Sequence, residues 1–472
     1  MKPKSLLLRV VLLLVFSVGA TQALAVTANE LLAKGNTEVG NGNYTEAIAD
    51  YTQAITLNPK LSDAYYNRGI SKAAKGDQDG ALADYTQYIT LQPNDPDGYY
   101  ARGRGKKAKG DLDGAMADFT QVITLKPQGF EAYFNRGLLK AEKRDQDGAI
   151  ADYTQTIALN PLYADAYNNR GLAKAAKGDQ DGAIADYMQT IALNPKVPEA
   201  YYNRGLSKAA KGNQDGAIAD YTQVIVLNPK FTDAYINRGI TKMTKGDQAG
   251  AIADFTEAIV VDPKNAWAYH VRGGTKKAMG DQDGAIADYT VAIALSPKYA
   301  AAYNGRGQSK YYKGDLDGAI ADFTGAIAIN PKYAEAYSNR GYIKHAKSDY
   351  DGAIADCTQA IDLNPKSSAA FNNRGNSKNA KGDHDGAIAD CTVAITLNPK
   401  NSEAYDNRGN AKAAKGDLNG AVADFTEAIT LDPKRVEAYQ HRADARRKLG
   451  DEAGAKVDEE KAKSLTGSKK PK

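Results

Sequence analysis

Ser62–Asp95 reads SDAYYNRGISKAAKGDQDGALADYTQYITLQPND. Its first half sets Tyr65, Gly69 and Lys72 four and three residues apart among helix-forming Ala and Lys, the spacing of one helix face. Lys75-Gly76-Asp77 then offers a C-cap glycine and an aspartate suited to capping a second helix. Beyond it Ala81, Tyr85, Tyr88, Ile89 and Leu91 recur at helical period, and Pro93 falls where that helix must already have ended. The stretch predicts two antiparallel helices with a short turn. Neither can bury its apolar stripe alone, so neighbouring copies must cover it.

Copies are present. Proline recurs every 34 residues at Pro59, Pro93, Pro127, Pro161, Pro195, Pro229, Pro263, Pro297, Pro331, Pro365, Pro399 and Pro433. A strict period of this size marks one small element stacked into a solenoid. The slots of Gly69 and Ala81 are Gly and Ala in all twelve repeats, the slot of Ile89 is always Ile, and that of Tyr85 is nearly always Tyr or Phe. Small residues let two helices approach closely, and the aromatic wedges the gap between them. This order of aromatic, Gly, Ala, aromatic, Ile and Pro over 34 residues resembles the tetratricopeptide repeat, in the variant with Asn-Arg-Gly in its first helix. The match covers residues 28–435, twelve repeats, with an atypical thirteenth from Val436. The resemblance implies an all-α solenoid, a right-handed superhelix of stacked hairpins that binds proteins or peptides in a concave groove. It does not imply which ones.

The ends differ from the middle. Met1–Ala25 has Lys2, Lys4 and Arg9, an apolar run Val10–Val18, then Ala23-Leu24-Ala25, the pattern of a secretory signal cleaved after residue 25. The run is short for a bilayer span, and an uncleaved anchor is the alternative. No cysteine follows the run and no twin arginine precedes it, which excludes the lipoprotein and twin-arginine routes. The expectation is export to a periplasm or the outside, with no stable membrane span after cleavage. Residues 436–465 keep Tyr439, Arg442 and Ala455 but place Glu459 where an aromatic is expected, in a helix rich in Lys and Glu. That suits a solubilising cap. Residues 466–472 read as a basic disordered tail.

Charge and chemistry exclude more than they assign. The formal charge falls from +4 to +1 once Lys2, Lys4 and Arg9 are removed, which gives no case for nucleic acid. Asp77-Gln78-Asp79-Gly80 resembles part of a calcium loop, but Lys75 and Thr86 stand where the loop needs acids. An N-cap role for Asp77 is the expectation. His270, His345, His384 and His441 lack metal-ligand spacing, and no nucleotide-binding or nucleophile motif occurs. No enzyme, cofactor or metal is expected. Cys357 and Cys391 share the buried aromatic slot one repeat apart. Stacked equivalents sit roughly 8–10 Å apart, beyond the about 7 Å a disulfide spans, so both are expected as free buried thiols. Two lost rings would make the tenth and eleventh repeats the softest.

Arg68 and Lys72 stand four apart in nearly every repeat and would repel on one helix face. The Asp84 slot is Asp throughout, which predicts a partly buried ladder of Arg–Asp pairs. In the resembled family the groove is lined by the slots of Asp63, Tyr66, Asn67, Ile70 and Ala73. The Asn slot recurs as Asn67, Asn135, Asn169, Asn203, Asn237, Asn339, Asn373 and Asn407. Such a row could hold an extended peptide backbone, or satisfy local backbone groups instead. The lysines and arginine of a two-carboxylate clamp are missing from these slots. Repeats eight to ten break the pattern: Trp267 replaces an acid, His270 and Val271 replace the usual pair, Gly305 interrupts the Asn row, and Tyr311, Tyr312, Tyr342 and His345 add aromatics. These aromatics are the expected partner-binding hot spot, with drift in exposed positions as the alternative. The sequence thus predicts a non-catalytic scaffold for protein partners. A solenoid binding carbohydrate or envelope polymer, and a structural spacer, are the other readings. Partner identity and oligomeric state are not encoded legibly.

Overall fold

The computed structural model describes residues 26–467. The expected signal and residues 468–472 of the expected tail lie outside the described residues; Thr466 and Gly467, expected in the tail, instead close the last helix, where the Thr466 hydroxyl donates back to the Ala462 carbonyl. Within them the chain forms 26 α-helices and no strand, from α1 (Ala28–Gly40) and α2 (Tyr44–Leu57) to α25 (Val436–Lys448) and α26 (Glu452–Gly467). They pair into antiparallel hairpins, one per repeat, and within each compact half every hairpin packs on the next. The N-terminal half ends at Leu227 and the C-terminal half begins at Asn228. This is the all-α hairpin stack that the repeat predicts.

Each turn follows from three residues. In the second repeat Gly76 takes φ +87°, its N–H donates to the Ala73 carbonyl, and the Asp77 N–H donates to that of Lys72. That pair of bonds closes the first helix in a Schellman motif. The Asp77 carboxylate then accepts from the Gly80 N–H at 2.9 Å and opens the second helix, so the aspartate is an N-cap, as expected. The positive φ is met by glycine in every repeat but two. Arg144 and Ser348 adopt φ +64° and +63°, where a Cβ crowds the following carbonyl at a cost of about 1 kcal/mol. Arg144→Gly is therefore expected to raise stability by about 0.5–1 kcal/mol, read as a higher urea midpoint at unchanged slope.

Within a hairpin the closest approach is glycine against the aromatic wedge. A Cβ on Gly171 would lie 2.7 Å from Tyr187 Cε1, and one on Gly205 would lie 2.7 Å from Tyr221 Cε1. Ala183, Tyr187, Ala217 and Tyr221 are essentially sealed from solvent. Cys357 and Cys391 are unpaired and buried, and burial pushes both thiols up to about 12. Their sulfurs lie against Gly341 and Gly375 as the rings do elsewhere.

The charged ladder is formed. In repeats two to twelve the arginine's Nη2 meets an Asp Oδ1 at 2.6–2.7 Å. The lysine's Nζ meets the other oxygen at 2.8–2.9 Å. Arginine Nε adds a second bond to the same carboxylate, as from Arg170 to Asp186 at 3.0 Å. These aspartates are buried, so one carboxylate neutralises two cations that would otherwise repel. The guanidinium also lies over the ring three residues earlier, as Arg170 does over Tyr167 at 5.6 Å. It reaches back to a threonine of the preceding repeat, Thr154 for Arg170 at 3.2 Å. Met188 occupies that threonine's slot before Arg204, and Arg204 keeps only its two bonds to Asp220. A second, exposed series joins successive repeats, including Lys109–Asp79, Lys177–Asp147 and Lys381–Asp351. Each such pair contributes little by itself. Where Met279 replaces the lysine its partner slot is Ala249, and where Leu449 does so the partner is Asn419; both members change together.

The last repeat behaves as a terminal layer. Arg442 and Arg446 share Asp458 at 2.6 and 2.9 Å, Ala455 and Ala462 face inward, and Val457 is exposed.

Candidate functional site

The first helices of each half present one side-chain row per slot. Each asparagine of the row has its NH2 engaged within the protein. Asn135, Asn169 and Asn237 donate to the carbonyl four residues earlier at 2.8–2.9 Å. Asn67, Asn203, Asn339, Asn373 and Asn407 donate to Asn36, Asn168, Asn304, Ser338 and Asn372 of the preceding repeat at 2.9–3.5 Å. Most of the row thus bonds one repeat to the next, and each amide meets any partner with at least one N–H already committed.

The deviant aromatics fall into separate places. Trp267 stacks on His270 at 5.5 Å and 23° and remains 47% exposed. His270 packs against Tyr299 at 4.9 Å and Tyr289 at 5.5 Å. Burial, with Lys277 as a lesser cause, pushes its imidazole down to about 4, so the ring is neutral near pH 7. Its Nδ1 has no partner. The glycine that interrupts the Asn row has a packing cause here: a Cβ on Gly305 would lie 2.5 Å from Tyr289 Cζ. His345 is held by its own network, with Nδ1 3.1 Å from Ser377 Oγ and Nε2 3.1 Å from Asn376 Nδ2. Since Asn376 can only donate through that amide nitrogen, Nε2 accepts and the ring is neutral. Burial lowers its pKa.

Tyr311, Tyr312 and Tyr342 do come together. Tyr311 meets Tyr342 edge to face, with centroids 5.5 Å apart at 88°, and their hydroxyls lie 3.2 Å apart. Tyr312 packs on Tyr311 at 5.4 Å and is 68% exposed. The three line a cavity of about 690 Å³ with Lys277, Gln282, Gln308, Asn339 and Glu403. Trp267, His270 and His345 are not in its lining. Sequence reasoning missed Lys277 and Glu403; a lysine in a slot that is Ala in repeats two, four, five and six was the available signal.

A second cavity, about 520 Å³, lies in the N-terminal half between Tyr66, Tyr85, Tyr100 and Arg104. Arg104 stands where neighbouring repeats carry Ile70 and Leu138. Among the described residues no group of His, Cys, Asp and Glu could hold a metal ion, and no helix is long and apolar enough to cross a membrane.

Comparisons with known proteins bear on the repeat. A model described as TPR repeat matches residues 35–76, 173–212 and 307–348. Models of the tetratricopeptide repeat match 63–95, 100–155, 198–231, 334–367 and 402–435. No curated protein matches the chain. Solved structures that resemble it include the Cut9–Hcn1 hetero-tetramer of APC/C, at 15% identity and TM-score 0.47, covering 89% of this chain and 96% of that one. Yeast Tom70 matches at 19% identity and TM-score 0.39, covering 92% and 96%. MamA matches at 29% identity and TM-score 0.33, covering 35% and 96%. None of these likenesses carries weight for what this chain binds. The repeat matches, together with the helical hairpins they fall on, place the chain in the tetratricopeptide repeat family, whose fold is typically a non-catalytic scaffold for protein–protein interaction.

Proposed function

We propose that this chain is an exported, non-catalytic scaffold whose protein partner docks on the first-helix face of the C-terminal half. The observation that carries the reading is the Tyr311–Tyr312–Tyr342 corner. Three large aromatics open onto one cavity, where the equivalents of Tyr311 and Tyr312 are mostly small or polar and those of Tyr342 include Ile70, Leu138, Leu172, Leu206 and Ile240. Tyrosine and tryptophan supply contact area at low entropic cost, and exposed Trp267 adds a second anchor on the same set of helices. Export is read from the charged, apolar and Ala-x-Ala order of residues 1–25. The asparagine row contributes to the rigidity of the platform.

The test is photocrosslinking in cells from position 312, beside position 77 on a turn, with mass spectrometry of what is captured. One protein captured only at 312 is expected. Identical background at both positions would remove the tyrosine corner as a binding site and favour a polymer ligand or a spacer. Cell fractionation checks export separately.

A further inference from the structure

We infer that the tyrosine cavity of the C-terminal half takes an acidic peptide segment, seating an aromatic or large aliphatic side chain among Tyr311, Tyr312 and Tyr342 and an adjacent Asp or Glu carboxylate on Lys277. The inference rests on the partner-binding reading above and specifies the chemistry of that partner.

Lys277 is unlike the ladder cations. Its neighbour Lys276 is taken up by Asp288 at 2.9 Å. Lys277 occupies the slot of Ala73, Ala141, Ala175 and Ala209, and its ammonium donates to the side-chain oxygen of Gln308, a neutral amide. Gln308 in turn donates to Glu335 at 2.9 Å, and the same Glu335 oxygen accepts from Asn304 at 3.2 Å. An amide therefore stands between Lys277 and the carboxylate it is networked to. Burial lowers the amine's pKa, with Glu335 partly countering. A desolvated cation satisfied by one amide gains from an incoming anion, because charge-assisted bonds are the stronger ones.

The rest of the lining selects the remainder of the ligand. Tyr311 and Tyr342 meet at a right angle with their hydroxyls joined, which makes a notch for an inserted side chain. That geometry suits an amino-acid side chain better than a sugar ring, which prefers a flat, open platform. Glu403 lies near Tyr342 and acts electrostatically on it, with Arg435 3.7 Å from its carboxylate. Arg435 is already held by Glu403 and Asp406, whereas Lys277 donates to an amide, so the cation left for a ligand's carboxylate is Lys277. Asn339, Gln282 and Gln308 supply amides for the backbone between.

The experiment displays random 12-residue peptides against the full chain and its Lys277→Ala and Tyr311→Ala/Tyr342→Ala variants, with circular dichroism confirming the fold. Alanine is the ordinary residue of the Lys277 slot, so that variant should fold normally. The expected result is enrichment of Asp or Glu within a few residues of an aromatic or leucine. Lys277→Ala should abolish the acid preference while keeping the aromatic one, and the tyrosine variant should lose both. For the best defined peptide, Lys277→Ala should weaken binding about tenfold or more and flatten its salt dependence. Enriched peptides without acids, or an acid preference that survives Lys277→Ala, would overturn this inference and leave the docking reading standing. No enrichment at all would overturn both. Retention of polygalacturonate in place of peptides, lost in Lys277→Ala, would reassign the cavity to a carboxylated polymer.

Discussion

Asp186→Ala is expected to destabilise the fifth repeat by about 3–5 kcal/mol, the range seen when one member of a buried ion network is removed. Asp186 accepts from Arg170 at 2.6 and 3.0 Å and from Lys174 at 2.8 Å, and its side chain is 4% exposed. Without it two cations face each other one helical turn apart, about a fifth exposed or less, with no anion between them. Arg170 would retain its bond to Thr154 and its contact with Tyr167, but neither offsets charge. A solenoid's stability is close to a sum of repeat and interface terms. The loss should therefore appear as a fifth repeat that unfolds ahead of its flanks, with broadened denaturant transitions and early amide exchange in residues 164–193. The triple change Arg170→Met, Asp186→Leu and Lys174→Met removes all three charges together and should cost far less. If Asp186→Ala costs no more than an exposed pair does, the ladder is surface decoration.

The ladder was legible before the structure because every participant repeats with the same period. Arg68, Lys72 and Asp84 occupy constant slots, and charge balance within one hairpin left few alternatives. The hairpins, their turns and the free thiols were legible for the same reason. What the period could not show lies in the deviations. Gly305 reads as a gap in the Asn row, yet it makes room for Tyr289, a residue of the preceding repeat. The asparagines read as donors for a ligand, yet most bond to the repeat before, a distance that depends on how hairpins stack. Lys277 stands beside Lys276, and only Lys276 falls in the ladder slot of Lys72, so the period marks Lys277 as an extra cation without showing the cavity it faces. Arg104 takes a slot that is Ile70 and Leu138 in the neighbouring repeats and stands in a tyrosine-lined cavity. Sequence resolved what is periodic; the candidate site is built from what is not.

Gly171→Ala should reverse the ordinary helix preference. In an exposed helix Ala is favoured over Gly by about 1 kcal/mol, but here the added Cβ would lie 2.7 Å from Tyr187 Cε1 and 3.0 Å from Cδ1. Tyr187 is 1% exposed, so its ring has no empty space to turn into. Either the two helices part or the ring leaves its rotamer, and overpacking of this kind costs about 1–3 kcal/mol. Gly171→Val adds two methyls and a stiff χ1 and should cost still more. The control is Gly40, the last residue of α1, with nothing within 4 Å of its Cβ direction, where Ala should show the ordinary helix preference and be neutral to stabilising by up to about 1 kcal/mol. A double-mutant cycle with Tyr187→Ala separates clash from helix strain. Tyr187→Ala alone should cost about 3–5 kcal/mol, on the scale of other buried aromatics, and Gly171→Ala should then add almost nothing, since the ring it struck is gone. Additivity of the two would mean that the backbones, not the ring, set the need for glycine. Repeats ten and eleven offer that alternative in native form. At Gly341 and Gly375 a Cβ would still meet cysteine sulfur at 2.7 Å and a backbone carbonyl, Ala353 O or Ala387 O, at 3.1 Å. There Gly→Ala should stay costly even after the thiol is cut back, because a carbonyl of the partner helix cannot move without the helix itself.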